Sequence, residues 1–150
     1  YFVMSEVPKG DNLWLLATGT GSGVFISLLK TDAPWNRFKK VILIHGVRNK
    51  EELTYLDQIA KFKNKYPQKF NYIKSVTREK IDGCLNTRIP NAIENGIFET
   101  TTKIKISKTS QFMICGNPDM IKETINNLKN KGLEINRRSK PGNITIEKYW

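Results

Sequence analysis

Apolar residues come in short continuous blocks at 13–17, 41–45 and 111–115, with a mixed aromatic and β-branched block at 70–76 and a last block at 143–149. Blocks of this length suit strands buried on both faces, which is the pattern of a parallel sheet. Between the blocks the period changes. After the first, the apolar positions Ile26, Leu28 and Leu29 predict a helix. Leu53, Leu56, Ile59, Ala60 and Phe62 recur at helical spacing across 51–66, and Pro67 stops that segment. Residues 88–95 predict a short helix ended by Gly96, and Pro118 opens a last one, through Met120, Ile121, Ile125 and Leu128 to Gly132. Proline is tolerated at a first helical position because its missing N–H has no partner there. Strand and helix alternate throughout, so the pattern predicts an α/β fold with a doubly wound, five-stranded parallel sheet and ligands at the carboxyl ends of its strands.

The first strand narrows into Thr18-Gly19-Thr20-Gly21-Ser22-Gly23 before the first helix opens. Glycines there let a backbone approach a ligand, and the N–H groups and dipole of a helix start favour an anion such as a pyrophosphate. The spacing G-x-G-x-G matches neither the G-x-G-x-x-G dinucleotide fingerprint nor the Walker pattern. The loop alone leaves both nucleotide binding and a purely steric strand-to-helix turn open.

A chain of 150 residues fits one domain with a single core. No apolar stretch reaches membrane-spanning length, and the opening residues 1–4 lack the basic flank of a signal peptide. Cys84 and Cys115 stand far apart without metal spacing, which predicts reduced thiols and a cytoplasmic protein without a metal site. A formal charge of +11 invites a nucleic-acid reading. The lysines are scattered rather than clustered, however, and no motif interleaves basic and aromatic residues on one face, so nucleic acid is not expected as a partner.

The residues just past each predicted strand converge if the fold is right. They are Thr18 to Gly21, then His45 to Arg48, then Thr77, Arg78 and Glu79, then Gly116, Asn117, Pro118 and Asp119. A site preferring NAD places an acid after the second strand to hold the ribose hydroxyls. Here Arg48 stands there, and no acid follows until Glu51. Arg48, Arg78 and Arg88 are three of six arginines, and a guanidinium fork suits a ribose 2′-phosphate, although surface loops also collect arginines. His45 is the single histidine, and with no serine nearby it supports no hydrolytic triad.

Leu15-Leu16-Ala17-Thr18-Gly19-Thr20-Gly21, His45-Gly46-Val47-Arg48, Val76-Thr77-Arg78-Glu79, the run Met113 to Met120, and Glu147-Lys148-Tyr149-Trp150 occur in one order along the chain. Together they resemble the C-terminal NADP-binding half of bacterial ferredoxin/flavodoxin-NADP reductases. The resemblance spans essentially the whole chain. It implies an oxidoreductase that passes hydride between NADP(H) and FAD and exchanges electrons with ferredoxin or flavodoxin. It also implies that residues 1–8 end a preceding flavin-binding barrel and that 9–150 form the NADP-binding domain. The flavin motif Arg-x-Tyr-Ser/Thr is absent, so the chain alone is expected to be inactive.

Carried over by position, the resemblance implies that Thr18, Gly19, Thr20 and Gly21 line the pyrophosphate and nicotinamide passage. Arg48, Arg78 and Arg88 would hold the 2′-phosphate end, and Thr77, Asn117 and Asp119 join the cofactor-binding set. Cys115 and Gly116 would border the nicotinamide, Glu147 would be the acid near the reacting centre, Tyr149 would stack on the flavin, and Trp150 would pack on its adenine part. Three positions depart from the family pattern: Ser22, Val24 where proline is usual, and Thr87 before Arg88. The last aromatics, stripped of a planar partner, predict self-association of the isolated chain. A different two-domain flavin reductase and a stand-alone nucleotide-binding module remain alternatives.

Overall fold

The computed structural model describes residues 4–146. Five strands form one parallel sheet: β1 Asn12–Thr18, β2 Lys40–Val47, β3 Phe70–Val76, β4 Ser110–Cys115 and β5 Ile144–Ile146, in the order β3-β2-β1-β4-β5. β1 lies at the centre, and Leu13 to Ala17 along it are wholly buried, as continuous apolar runs require. The chain leaves β1 toward β2 and β3 on one side and returns to β4 and β5 on the other. The order therefore reverses beside the carboxyl end of β1, where ligands bind in open α/β sheets.

Helices cover both faces. Strand residues Leu13, Leu15, Ala17, Leu43, Met113 and Cys115 share a core with Phe25 and Leu29 of α1 (Ser22–Leu29), Trp35 of α2 (Ala33–Arg37) and Ile59 of α3 (Leu56–Lys65). The alternate residues Trp14, Leu16, Ile42, Ile44, Phe112 and Ile114 pack on α4 (Ile89–Glu94), α5 (Ile97–Thr102) and α6 (Pro118–Asn130). Trp35 stacks on Tyr66 with ring centroids 3.9 Å apart, closing the edge between α2 and α3. Arg37 gathers the carbonyls of Met4, Val7 and Pro8, which ties the segment before β1 to α2.

The helix expected over 51–66 is divided. A 3-10 turn, Lys50–Glu52, closes on itself: Glu52 Oε1 accepts from Asn49 N at 2.8 Å, and Glu52 N donates to Asn49 O. The chain then passes through Tyr55 in the left-handed region, φ 61°, before α3 begins. A side chain raises the cost of that conformation by about 1 kcal/mol or more. The short helices α2 and α5 lie outside the elements expected from the pattern. α5 follows directly on Gly96, whose φ of 72° ends α4 and reverses the chain into another turn of helix. The strand expected over 143–149 is described as Ile144–Ile146; its Asn143 is instead a tie, its amide donating to Lys108 O and Ser110 O. Residues 147–149 of that expectation lie outside the described residues. Among the described residues no helix is long and apolar enough to cross a membrane.

Candidate functional site

A cleft of about 720 Å³ opens at the carboxyl ends of the strands, above the point where the strand order reverses. Its floor is the Gly-rich turn. Gly19–Gly21 form a single 3-10 turn that runs into α1, and no side chain caps either element. Gly19 has φ 53° with open space where a Cβ would stand, and Gly19 and Thr20 are exposed. Gly21 is the opposite case. A Cβ there would lie 2.6 Å from Cys115 O and 3.2 Å from Cys115 Sγ, so only glycine lets the turn rest on the end of β4.

Gly116 ends β4 with φ 143°, and a Cβ on it would meet Thr18 Oγ1 at 2.1 Å. The space is used for a contact between strand ends: Asn117 N donates to Thr18 Oγ1 at 2.9 Å. Asn117 also caps α6, its Oδ1 accepting from Asp119 N (2.9 Å) and Met120 N (3.1 Å). Two helix starts therefore flank the cleft. That of α1 has no side-chain cap, and that of α6 is occupied by its own cap.

Arg48 and Arg88 line the far side. Arg48 is exposed and makes no ion pair among the described residues. Arg88 meets Glu123 of α6 at 2.8 Å, a half-exposed pair of little energetic weight. Arg78 stands elsewhere: it is exposed, its backbone N donates to Arg48 O at 2.9 Å, and its side chain is not part of the cleft wall. Asn86 braces this loop by donating to the carbonyls of Val76, Thr77 and Glu79.

Beneath the turn, Cys115, Ala17 and His45 occupy one row across β4, β1 and β2. Cys115 and His45 are both wholly buried. His45 Nε2 lies 2.8 Å from Gly19 O, and since a carbonyl only accepts, Nε2 carries the proton. Nδ1 is buried without a hydrogen-bond partner among the described residues. Burial pushes the His45 pKa below 6.5, against the opposing pull of the Gly19 carbonyl and of Glu52, so the ring is neutral near pH 7.

Of the residues expected at the site, Thr18, Gly19, Thr20, Gly21, Arg48, Thr77, Arg88, Gly116, Asn117 and Asp119 all line the cleft. Cys115 lies just under it, Arg78 stands off its wall, and Glu147, Tyr149 and Trp150 fall outside the described residues. The cleft also includes Glu52, Ile89, Pro90 and Glu123. Ile89 and Pro90 follow Arg88 directly and could have been inferred from it. Glu123, more than thirty residues further on, carries no local signal.

An open parallel sheet with a glycine turn at its reversal point defines a nucleotide-binding α/β domain. Residues 15–125 match the model of the oxidoreductase NAD-binding domain, and the chain belongs to that family. It is 40% identical over its whole length to the flavodoxin/ferredoxin--NADP reductase of Buchnera aphidicola subsp. Baizongia pistaciae, and 38% identical to that of Escherichia coli, spanning 61% of each. In structure it resembles a ferredoxin NADP+ reductase from Neisseria gonorrhoeae solved with bound FAD and NADP, with a TM-score of 0.89 and 33% identity over 97% of this chain and 58% of that one. The chain thus spans about three fifths of the length of these relatives.

Proposed function

We propose that this chain is the NADP(H)-binding part of a flavin-dependent ferredoxin/flavodoxin-NADP reductase, with 9–150 as the NADP-binding domain and 1–8 as the end of a preceding flavin-binding barrel. The observation that carries the reading is the uncapped glycine turn at the sheet's reversal point, facing Arg48 and Arg88 across one cleft. The residues fit a dinucleotide phosphate. Gly19 leaves the space of a Cβ empty on the turn, and the turn is seated by Gly21 so closely on Cys115 that its position is fixed. Thr18, Gly19, Thr20 and Gly21 would hold the pyrophosphate, with Thr77, Asn117 and Asp119 completing the wall. Arg48, Arg88 and, from the adjoining loop, Arg78 would hold the 2′-phosphate.

When bound, the nicotinamide supplies the hydride that FAD exchanges with it. The chain's task is to orient that ring and exclude water. Cys115 and Gly116 at the end of β4 would border it, with Glu147 and Tyr149 at the reacting centre and Trp150 against the flavin's adenine part. Electron exchange with ferredoxin or flavodoxin in the cytoplasm completes the proposal. Tested as residues 1–150 alone, the polypeptide is expected to transfer no electrons and to self-associate. Sedimentation with and without the last two residues tests the latter, and a monomer in both cases overturns it.

The deciding experiment is calorimetry of the chain with 2′,5′-ADP against 5′-AMP. Preference for the 2′-phosphorylated ligand by about tenfold or more is expected from one charge-assisted contact of about 1.5 to 3 kcal/mol. Equal affinities refute the reading.

A further inference from the structure

We infer that His45 is a positioning residue for phosphate binding: by holding the Gly19 carbonyl on the buried side of the glycine turn, it aims the Thr20 N–H into the cleft. This rests on reading the cleft as a dinucleotide phosphate site. In a planar trans peptide the carbonyl of one residue and the N–H of the next point in opposite directions. Gly19 O points to His45 Nε2, 2.8 Å away in a fully buried row. The N–H of Thr20 belongs to the same peptide unit and so points away from His45. Thr20 is exposed and lines the cleft.

The pin matters because the residue it holds is glycine. Gly19, at φ 53° with nothing near its missing Cβ, has no side chain to resist rotation of the peptide plane. Unpinned, the unit could turn over and place a carbonyl, a partial negative charge, where a phosphate oxygen should sit. His45 suits the task by its protonation. Nε2–H donates, while Nδ1 is shut away from water and from other polar groups among the described residues. The ring thus presents one donor to the turn and no second charge beneath it.

The test compares three variants of the chain. Glutamine carries an N–H four bonds from Cα, as imidazole Nε2 is, and asparagine falls one bond short. His45→Leu removes the donor while keeping an apolar side chain in the row. Binding of inorganic pyrophosphate and of NADP+ should weaken roughly tenfold in His45→Leu and His45→Asn, and recover to within about threefold in His45→Gln. Binding of 2′-AMP, which reaches the arginine side without spanning the turn, should change by less than about twofold in all three. In 1H–15N spectra the Thr20 amide should shift on adding pyrophosphate to wild type and to His45→Gln, and not in His45→Leu. Wild-type binding with unchanged pyrophosphate affinity in His45→Leu overturns the inference alone, as does equal weakening of 2′-AMP. A wild-type chain that binds neither NADP+ nor pyrophosphate sinks the functional reading and this inference with it.

Discussion

The two helix starts at the cleft solve the same problem in opposite ways. Each α-helix begins with N–H groups that have no partner inside the helix. In α6, Asn117 takes those of Asp119 and Met120, Pro118 removes a third donor, and Asp119 adds a negative charge to the first turn. In α1 the chain offers Gly-Thr-Gly and Ser-Gly, with neither a capping side chain nor an acid. Asn117 makes α6 independent of any ligand, and the bare turn leaves α1 able to gain from one. Helix dipoles alone cannot distinguish the two ends; what distinguishes them is which donors are already engaged.

The strongest way to break the contrast is to lift the turn from its seat. Gly21→Ala drives a Cβ into the backbone of Cys115, an atom that cannot swing away. It should destabilise the chain by about 3 kcal/mol and abolish NADP+ binding, read from the denaturant midpoint and by calorimetry. Gly116→Ala, with its clash on Thr18 Oγ1, should cost a similar amount.

Next comes the far end of the same anion. Arg48→Ala should weaken 2′,5′-ADP by about 1.5 to 2 kcal/mol and leave 5′-AMP unchanged in calorimetry, since among the described residues the Arg48 side chain has no ion pair to lose. Arg88→Ala should cost less because its guanidinium is shared with Glu123. A larger loss in Arg78→Ala than in Arg48→Ala would move the phosphate out to the adjoining loop.

On the α6 side the effect should fall on stability. Asn117→Ala should lower it by about 1 kcal/mol, the usual worth of an N-cap, seen as a lower melting temperature. Asn117→Asp keeps a capping oxygen and should retain stability while adding a charge that weakens NADP+.

The smallest effect is proton-linked. The folded-state pKa of His45 lies below its unfolded value of 6.5, so the unfolded chain binds a proton more readily. Stability is therefore full above pH 6.5 and falls as pH drops through the folded pKa. Wild type should lose more of its melting temperature than His45→Gln between pH 7.5 and pH 5. Equal losses would place the proton-linked change elsewhere.

The sheet was legible in the sequence because its central strands carry continuous apolar runs, and the mixed, aromatic and β-branched block at 70–76 coincides with β3. The cleft was legible for a related reason, since in a parallel sheet every strand's next residues meet at one end. What escaped was everything set by a single dihedral angle or by side-chain direction. Leu53 and Leu56 stand three apart and read as one helix face, and nothing in that spacing reveals Tyr55 turning left-handed between them. Arg48 and Arg78 are equivalent as strand-end arginines, and only the fold shows that one faces the cleft and the other stands beside it. The division of labour between α1 and α6 was half visible: Asn-Pro-Asp spells a capped start, but a missing cap is written only as glycine.

The clasp of Arg37 on the carbonyls of Met4, Val7 and Pro8 gains meaning beside the His45 contact. A guanidinium carries the same charge at any pH a folded protein tolerates, whereas an imidazole gains a charge in acid while keeping the N–H it already donates. The molecule thus has one fastening blind to acid and one that senses it. On acidification neither fastening loses its donor; the difference is that acid places a charge in the buried row under the glycine turn, so its strain should fall on the ligand cleft and spare the entry strap.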